Sequence, residues 1–110
     1  MKEIKMKVFG RVQGVNFRSN VKRFSDEIDT KGNVRNMDDG SVLIVAQGSS
    51  QQLGRLINFV KSNPGLSKVQ KIERKTSAAK ELFSDFEIVR VDSLLIDKKK
   101  ALTNLGRNLF

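Results

Sequence analysis

Over the first residues of the chain, apolar and polar positions alternate. Ile4, Met6 and Val8 fall on one side, and Lys5 and Lys7 on the other. A period of two is that of a half-buried strand and predicts one over residues 2–9. From Phe17 the period lengthens: Phe17, Val21, Phe24 and Ile28 form one helical stripe, so a helix is expected from 17 to about 29. Asp26, Glu27 and Asp29 crowd its last turn, where carboxylates meet the helix dipole badly, and Lys31 and Gly32 read as the stop. A second strand is expected over 33–37, then a turn at Asp38-Asp39-Gly40, with Asp39-Gly40 a hairpin signal. Residues 41–47 are the most apolar run and read as a central strand.

Ser49 and Gln52 have capping-box spacing and open a second helix with Leu53, Leu56, Ile57 and Val60 on its apolar face. Asn63-Pro64-Gly65 ends that helix. A fourth strand is expected over 68–75, with Val69 and Ile72 as its clearest apolar positions. Residues 76–85 read as a polar loop in which Leu82 and Phe83 tuck against the body. A fifth strand follows over 86–91, with Phe86 and Ile88 inward. The order β-α-β-β-α-β-β is that of an α/β (α+β) split βαβ sandwich of ferredoxin-like type, a mostly antiparallel sheet with both helices on one face. A crossover through the first helix makes the first two strands parallel, with the third between them. The end of strand one and the end of strand two then share one edge of the sheet.

That edge is where the chemistry is expected. Between the strand period and the helical period lie Gly10 and Gly14. Glycine turns through conformations closed to other residues, so successive N–H groups can face one concavity. The following helix N-terminus adds unpaired N–H groups and partial positive charge, which makes an anion cradle of phosphate size. Arg18 lies in the first turn of that helix, where the dipole disfavours a cation unless an anion sits between them. Its guanidinium is planar, permanently charged and able to grip two oxygens. Taken alone, the same residues are also those of a solvated helix arginine after a glycine-shaped turn.

Composition narrows the options. At 110 residues the chain is one domain in expectation, with room for a single core. It has no cysteine and no histidine, which removes disulfides, thiolate metal sites, the commonest general base and the usual triad. Catalysis must then use arginine, amides, carboxylates or hydroxyls. The formal net charge of +9 favours anionic partners. No stretch has the apolar core of a signal peptide or the length of a membrane span, so a cytoplasmic monomer is expected.

The string Gly10-Arg11-Val12-Gln13-Gly14-Val15-Asn16-Phe17-Arg18 resembles the signature of the acylphosphatase family. Gly32-Asn33-Val34-Arg35-Asn36, then Asp39-Gly40-Ser41-Val42, and finally Phe86-Glu87-Ile88 resemble further parts of it in the same order. The resemblance spans residues 2–91 and implies hydrolysis of the carboxyl-phosphate bond of acyl phosphates, without cofactor or metal. It implies that Arg18 and the amides of Gln13, Gly14, Val15, Asn16 and Phe17 hold the phosphate. It also implies that Asn36 orients the attacking water, which makes Arg18 and Asn36 the catalytic pair. Outside the resemblance, Asn36 reads as a turn residue before Asp38-Asp39-Gly40, Gln13 as a solvent-facing loop residue, and Phe17 and Phe24 as core.

Two positions depart from the family pattern. Asn33 stands where a tryptophan or similar large residue is usual, with altered packing expected beneath Asn36, and Asn63-Pro64-Gly65 only approximates the usual Gly-Pro turn. Residues 92–110 extend beyond the resemblance; Leu95, Leu102, Leu105 and Leu109, interrupted by Lys98-Lys99-Lys100, predict a short helix there. The competing readings are a nucleic-acid-binding module of the same architecture and a non-catalytic acyl- or carbamoyl-phosphate-binding module. The first is disfavoured because the third strand carries no aromatic on which a base could stack. The second is disfavoured because the chain is too short for the further domains of carbamoyl-transfer proteins.

Overall fold

A computed structural model describes residues 1–90. The expected strip over 92–110 and the last position of the fifth strand lie outside the described residues. The elements are β1 (Lys2–Arg11), α1 (Phe17–Glu27), β2 (Lys31–Asn36), β3 (Val42–Gly48), α2 (Ser50–Lys61), β4 (Lys68–Ala78) and β5 (Phe86–Val89). They form one five-stranded sheet in the order β4-β1-β3-β2-β5. Strand β3 pairs antiparallel with both β1 and β2, so β1 and β2 run the same way on either side of it. Strand β5 joins β2 in parallel.

Alternation sorts the sheet into two faces. Ile4, Met6, Val8, Val34, Val42, Ile44 and Ala46 enter one core with Phe17 and Val21 of α1 and Leu53, Leu56 and Val60 of α2. Phe24 and Phe59 stack between the helices with ring centroids 4.2 Å apart. Phe17 is 1 % exposed, so its ring anchors the start of α1, and truncation to alanine would cost about 3–5 kcal/mol. The opposite face carries Leu43 and Val45, with Met37 against them. No helix of the described residues is long and apolar enough to cross a membrane.

Boundaries move where pairing overrides periodicity. Strand β1 runs on to Arg11 because β4 follows it, with a register shift between Phe9 and Gly10. Gly10 therefore belongs to the strand and not to the turn: a Cβ there would lie 2.2 Å from the Lys68 carbonyl oxygen. Helix α1 ends at Glu27, and Asp29, not Gly32, takes the left-handed conformation past its end, at φ 61°. Gly32 is already inside β2, where a Cβ would meet the Val45 carbonyl oxygen at 1.8 Å. Strand β4 extends to Ala78 as an edge strand, and its mostly exposed residues explain the weak alternation. The Ser49–Gln52 capping box forms in both directions. Leu82 does not tuck in and is 70 % exposed; Phe83 is exposed too, at 38 %, and lines a hollow on the open face.

Candidate active site

The edge shared by the ends of β1, β2 and β5 carries the candidate site. Val12 is buried in the core and ties the chain down just before the loop, its N–H donating to the Gly10 carbonyl at 3.1 Å. The next residues turn sharply, with Gly14 at φ 75° and Asn16 at φ 60°. The first intrahelical bond is donated by Asn20 N–H to the Asn16 carbonyl at 3.1 Å. From Gln13 to Arg18, no backbone N–H finds an acceptor among the described residues. A run of orphaned donors beside two left-handed residues at a helix N-terminus has the form of an anion nest. The Asn16 side chain makes no capping bond, so its contribution is its backbone. Gly14 has nothing within 4 Å of where a Cβ would stand, and its positive φ is what requires glycine.

Arg18 is half-buried on the first turn of α1. Burial, and after it repulsion from the Arg90 cation, hold its pKa below the ordinary arginine value, though an arginine keeps its charge at neutral pH. Arg90 follows β5, whose Val89 pairs with Arg35 of β2, so the cation that acts on Arg18 belongs to the same edge of the sheet. Asn36 is the last residue of β2, at that same edge. Asn36 shares a face with Gly32 and Val34, and Val34 is in the core against the helices. Its side-chain carbonyl oxygen is buried and has no hydrogen-bond partner among the described residues. Such an oxygen is costly unless something not belonging to the chain meets it.

Gln13, read from sequence as an amide donor or a solvent-facing residue, does something else with its side chain. Its Nε2 donates to the carbonyls of Met37 and Ser41, both at 2.9 Å. This clamps the loop to the β2–β3 turn just beyond Asn36. The turn holds itself: Met37 N–H donates to Ser41 O at 2.8 Å, and Asp39 accepts from Ser41 N–H and hydroxyl and from Lys7. Asp39 is thereby held down to about 2, first by the Ser41 hydroxyl and then by Lys7. This carboxylate serves the turn. Among the described residues no three acidic side chains gather as a metal cluster would. The turn after α2 flanks the loop on its other side, with Gly65 passing close to Asn20 and Val15.

Asn33 corrects one expectation. It lies on the open face, opposite to Asn36, and its carbonyl oxygen accepts from Arg35 at 2.9 Å. Its small side chain alters that face and not the floor beneath Asn36.

The acylphosphatase family model matches residues 4–88. An acylphosphatase of Ligilactobacillus salivarius is 43% identical over 90 residues, which are 80% of this chain and 98% of that one. One from Helicobacter hepaticus is 39% identical over 88 residues, covering 76% of this chain and 92% of the relative. The crystal structure of the Bacillus subtilis acylphosphatase superposes with a TM-score of 0.78 at 38% identity, over 81% of this chain and 99% of that chain. More than nine-tenths of each relative is thus matched by the part of the chain that builds the sheet, both helices and the loop between β1 and α1, and the chain belongs to the acylphosphatase family, a family of hydrolases.

Proposed function

We propose that this chain hydrolyses small acyl phosphates to a carboxylate and inorganic phosphate at the loop of residues 13–18, with Arg18 and Asn36 as its catalytic pair. The observation that carries the reading is the run of unpaired backbone N–H groups from Gln13 to Arg18, which ends on a cation. Those amides and the Arg18 guanidinium hold the phosphoryl oxygens and neutralise their charge. Asn36 accepts a hydrogen bond from a water molecule through its otherwise unpartnered carbonyl oxygen and aims the water's lone pair at phosphorus. As the new P–O bond forms, the bond between phosphorus and the acyl oxygen breaks, and its electron pair leaves with the carboxylate. The dianionic acyl phosphate and water become a carboxylate and dihydrogen phosphate, the water's proton passing to a phosphoryl oxygen.

A carboxylate is a weak base, so its departure needs no general acid. Phosphoryl transfer leaves little covalent work to the protein, and positioning and electrostatics dominate. A chain without histidine or cysteine suits that chemistry. The charge that a metal would otherwise supply comes from the amides and the guanidinium. Residues 1–91 would carry the activity as a monomeric cytoplasmic enzyme, with 92–110 as an extension dispensable for hydrolysis.

The test is benzoyl phosphate turnover in water enriched in oxygen-18, with and without chelator. Label in the phosphate and none in the benzoate, at a rate that the chelator leaves unchanged, is the expected result. Label in the benzoate, or activity lost to the chelator, would refute it.

A further inference from the structure

The open face of the sheet, away from the cradle, holds a hollow of about 590 Å³, a volume ordinary for a small-molecule site. Its floor is Val45 of β3 with Asn33 and Arg35 of β2, and Phe83 walls it from the loop before β5. That loop is strapped in place by the buried Gln47 side chain. Its carbonyl oxygen accepts from Phe83 N–H at 3.0 Å, and its amide donates to Glu81 O and to the Glu3 carboxylate. The wall is therefore built, and does not simply drape over the sheet.

Arg35 is the unusual element. Arg35 is half-buried, and burial lowers its pKa. Its one hydrogen bond goes to the neutral Asn33 side chain, and its Nε is buried with no partner among the described residues. A buried cation normally has a carboxylate to offset its desolvation, and here none forms an ion pair with it among the described residues. Lys5, Lys75 and Lys80 also line the hollow, and none of them is ion-paired among the described residues either. The acids on the rim are Glu3, already bonded to Gln47, and Glu81, so positive charge is in excess.

We propose that this hollow is a second binding site, for a small organic anion whose oxyanion head pairs with Arg35 and whose compact apolar body lies against Val45 and Phe83. A planar carboxylate or a phosphate group meets the fork of an arginine equally well, so the head is defined as an oxyanion. The flexible lysines add charge at the rim. The site shares strand β2 with the cradle but none of its side chains: Arg35 and Asn36 are neighbours in sequence and point to opposite faces.

Titration of the isotopically labelled full chain with benzoate, and separately with phenyl phosphate, tests this through the backbone amide spectrum. Saturable shifts at Asn33, Arg35, Val45 and Phe83 with at least one of the two are expected, and they should persist in Arg18→Ala, which separates this site from the cradle. The probe that produces them identifies the head group. Arg35→Met should weaken that binding by about tenfold or more. If Arg35→Met does not fold, the pair Lys75→Gln and Lys80→Gln should weaken it several-fold. Shifts confined to residues 13–18 and 36 with both probes, or unchanged affinity in the variants that fold, would overturn the proposal.

Discussion

Two segments meet at the edge that carries the candidate site, and they spend their hydrogen bonds in opposite ways. The β2–β3 turn satisfies itself: Met37, Asp39, Gly40 and Ser41 bond to one another, and Lys7 closes on Asp39. Among the described residues, the backbone donors of the loop of residues 13–18 find no acceptor, and Arg18 stands at their end. Among the described residues, the Gln13 side chain is what ties the loop to the turn. The difference teaches which segment is built to hold itself and which to hold something else. A run of backbone donors without acceptors at a helix N-terminus has the form of an anion site.

Breaking the loop should cost activity far more than breaking the turn. Arg18→Ala should lower kcat/KM for benzoyl phosphate by about 10³-fold, because the cradle loses its one full charge. Arg18→Lys keeps the charge but not the fork, and should recover only a minor part of that loss. Asn36→Ala should come next, lowering kcat by about 10²-fold while inorganic phosphate inhibits as before, since it removes water orientation and not anion binding. A fall in phosphate affinity equal to the fall in kcat would move Asn36 into the cradle.

Gln13→Ala sharpens the comparison, because it cuts the link and leaves both segments chemically intact. Unfolding free energy should drop by about 1 kcal/mol, with a loss of kcat/KM of about tenfold as the loop drifts from the turn. Urea titration and steady-state kinetics on the same preparation check both halves. The smallest effect belongs to the turn. Asp39 has its pKa lowered in the fold, from 3.8 to about 2, so its contribution to stability is present above the unfolded value and is lost as pH falls through about 2. Its carboxylate is largely exposed, so after solvent screening Asp39→Asn should cost under about 1 kcal/mol at pH 7 and flatten the stability profile between about pH 4 and 2. A variant whose acid profile matches that of the parent chain would remove Asp39 from the turn's support.

Much of this architecture was legible from periodicity. The alternation of Ile4, Met6 and Val8 and the stripe from Phe17 describe one core seen from two elements, and the all-apolar run in β3 marks a strand covered on both sides. The motif around Gly14 and Arg18 also pointed to the edge of the sheet where β1 and β2 end. What periodicity does not carry is the partner of each residue. Gln13 acts on carbonyls 24 and 28 positions away, which no local pattern encodes. Strand β4 is as long as β1 allows, not as long as its own alternation predicts. Gly32 looked like a helix stop and is instead a point of close contact between strands, while Asp29 took the left-handed position. Arg35 sits inside a recognisable string, yet its bond to Asn33 and the hollow it shares with Phe83 of the loop held by Gln47 are not written in that string.

The account rests on the unpaired amides of residues 13–18 being an anion site, and amide chemical shifts under inorganic phosphate read that directly. Saturable shifts at Gly14 through Arg18 are expected, with a dissociation constant equal to the constant for phosphate inhibition of benzoyl phosphate hydrolysis, and both should weaken together in Arg18→Ala. Amides in the loop that stay still while phosphate inhibits would contradict it.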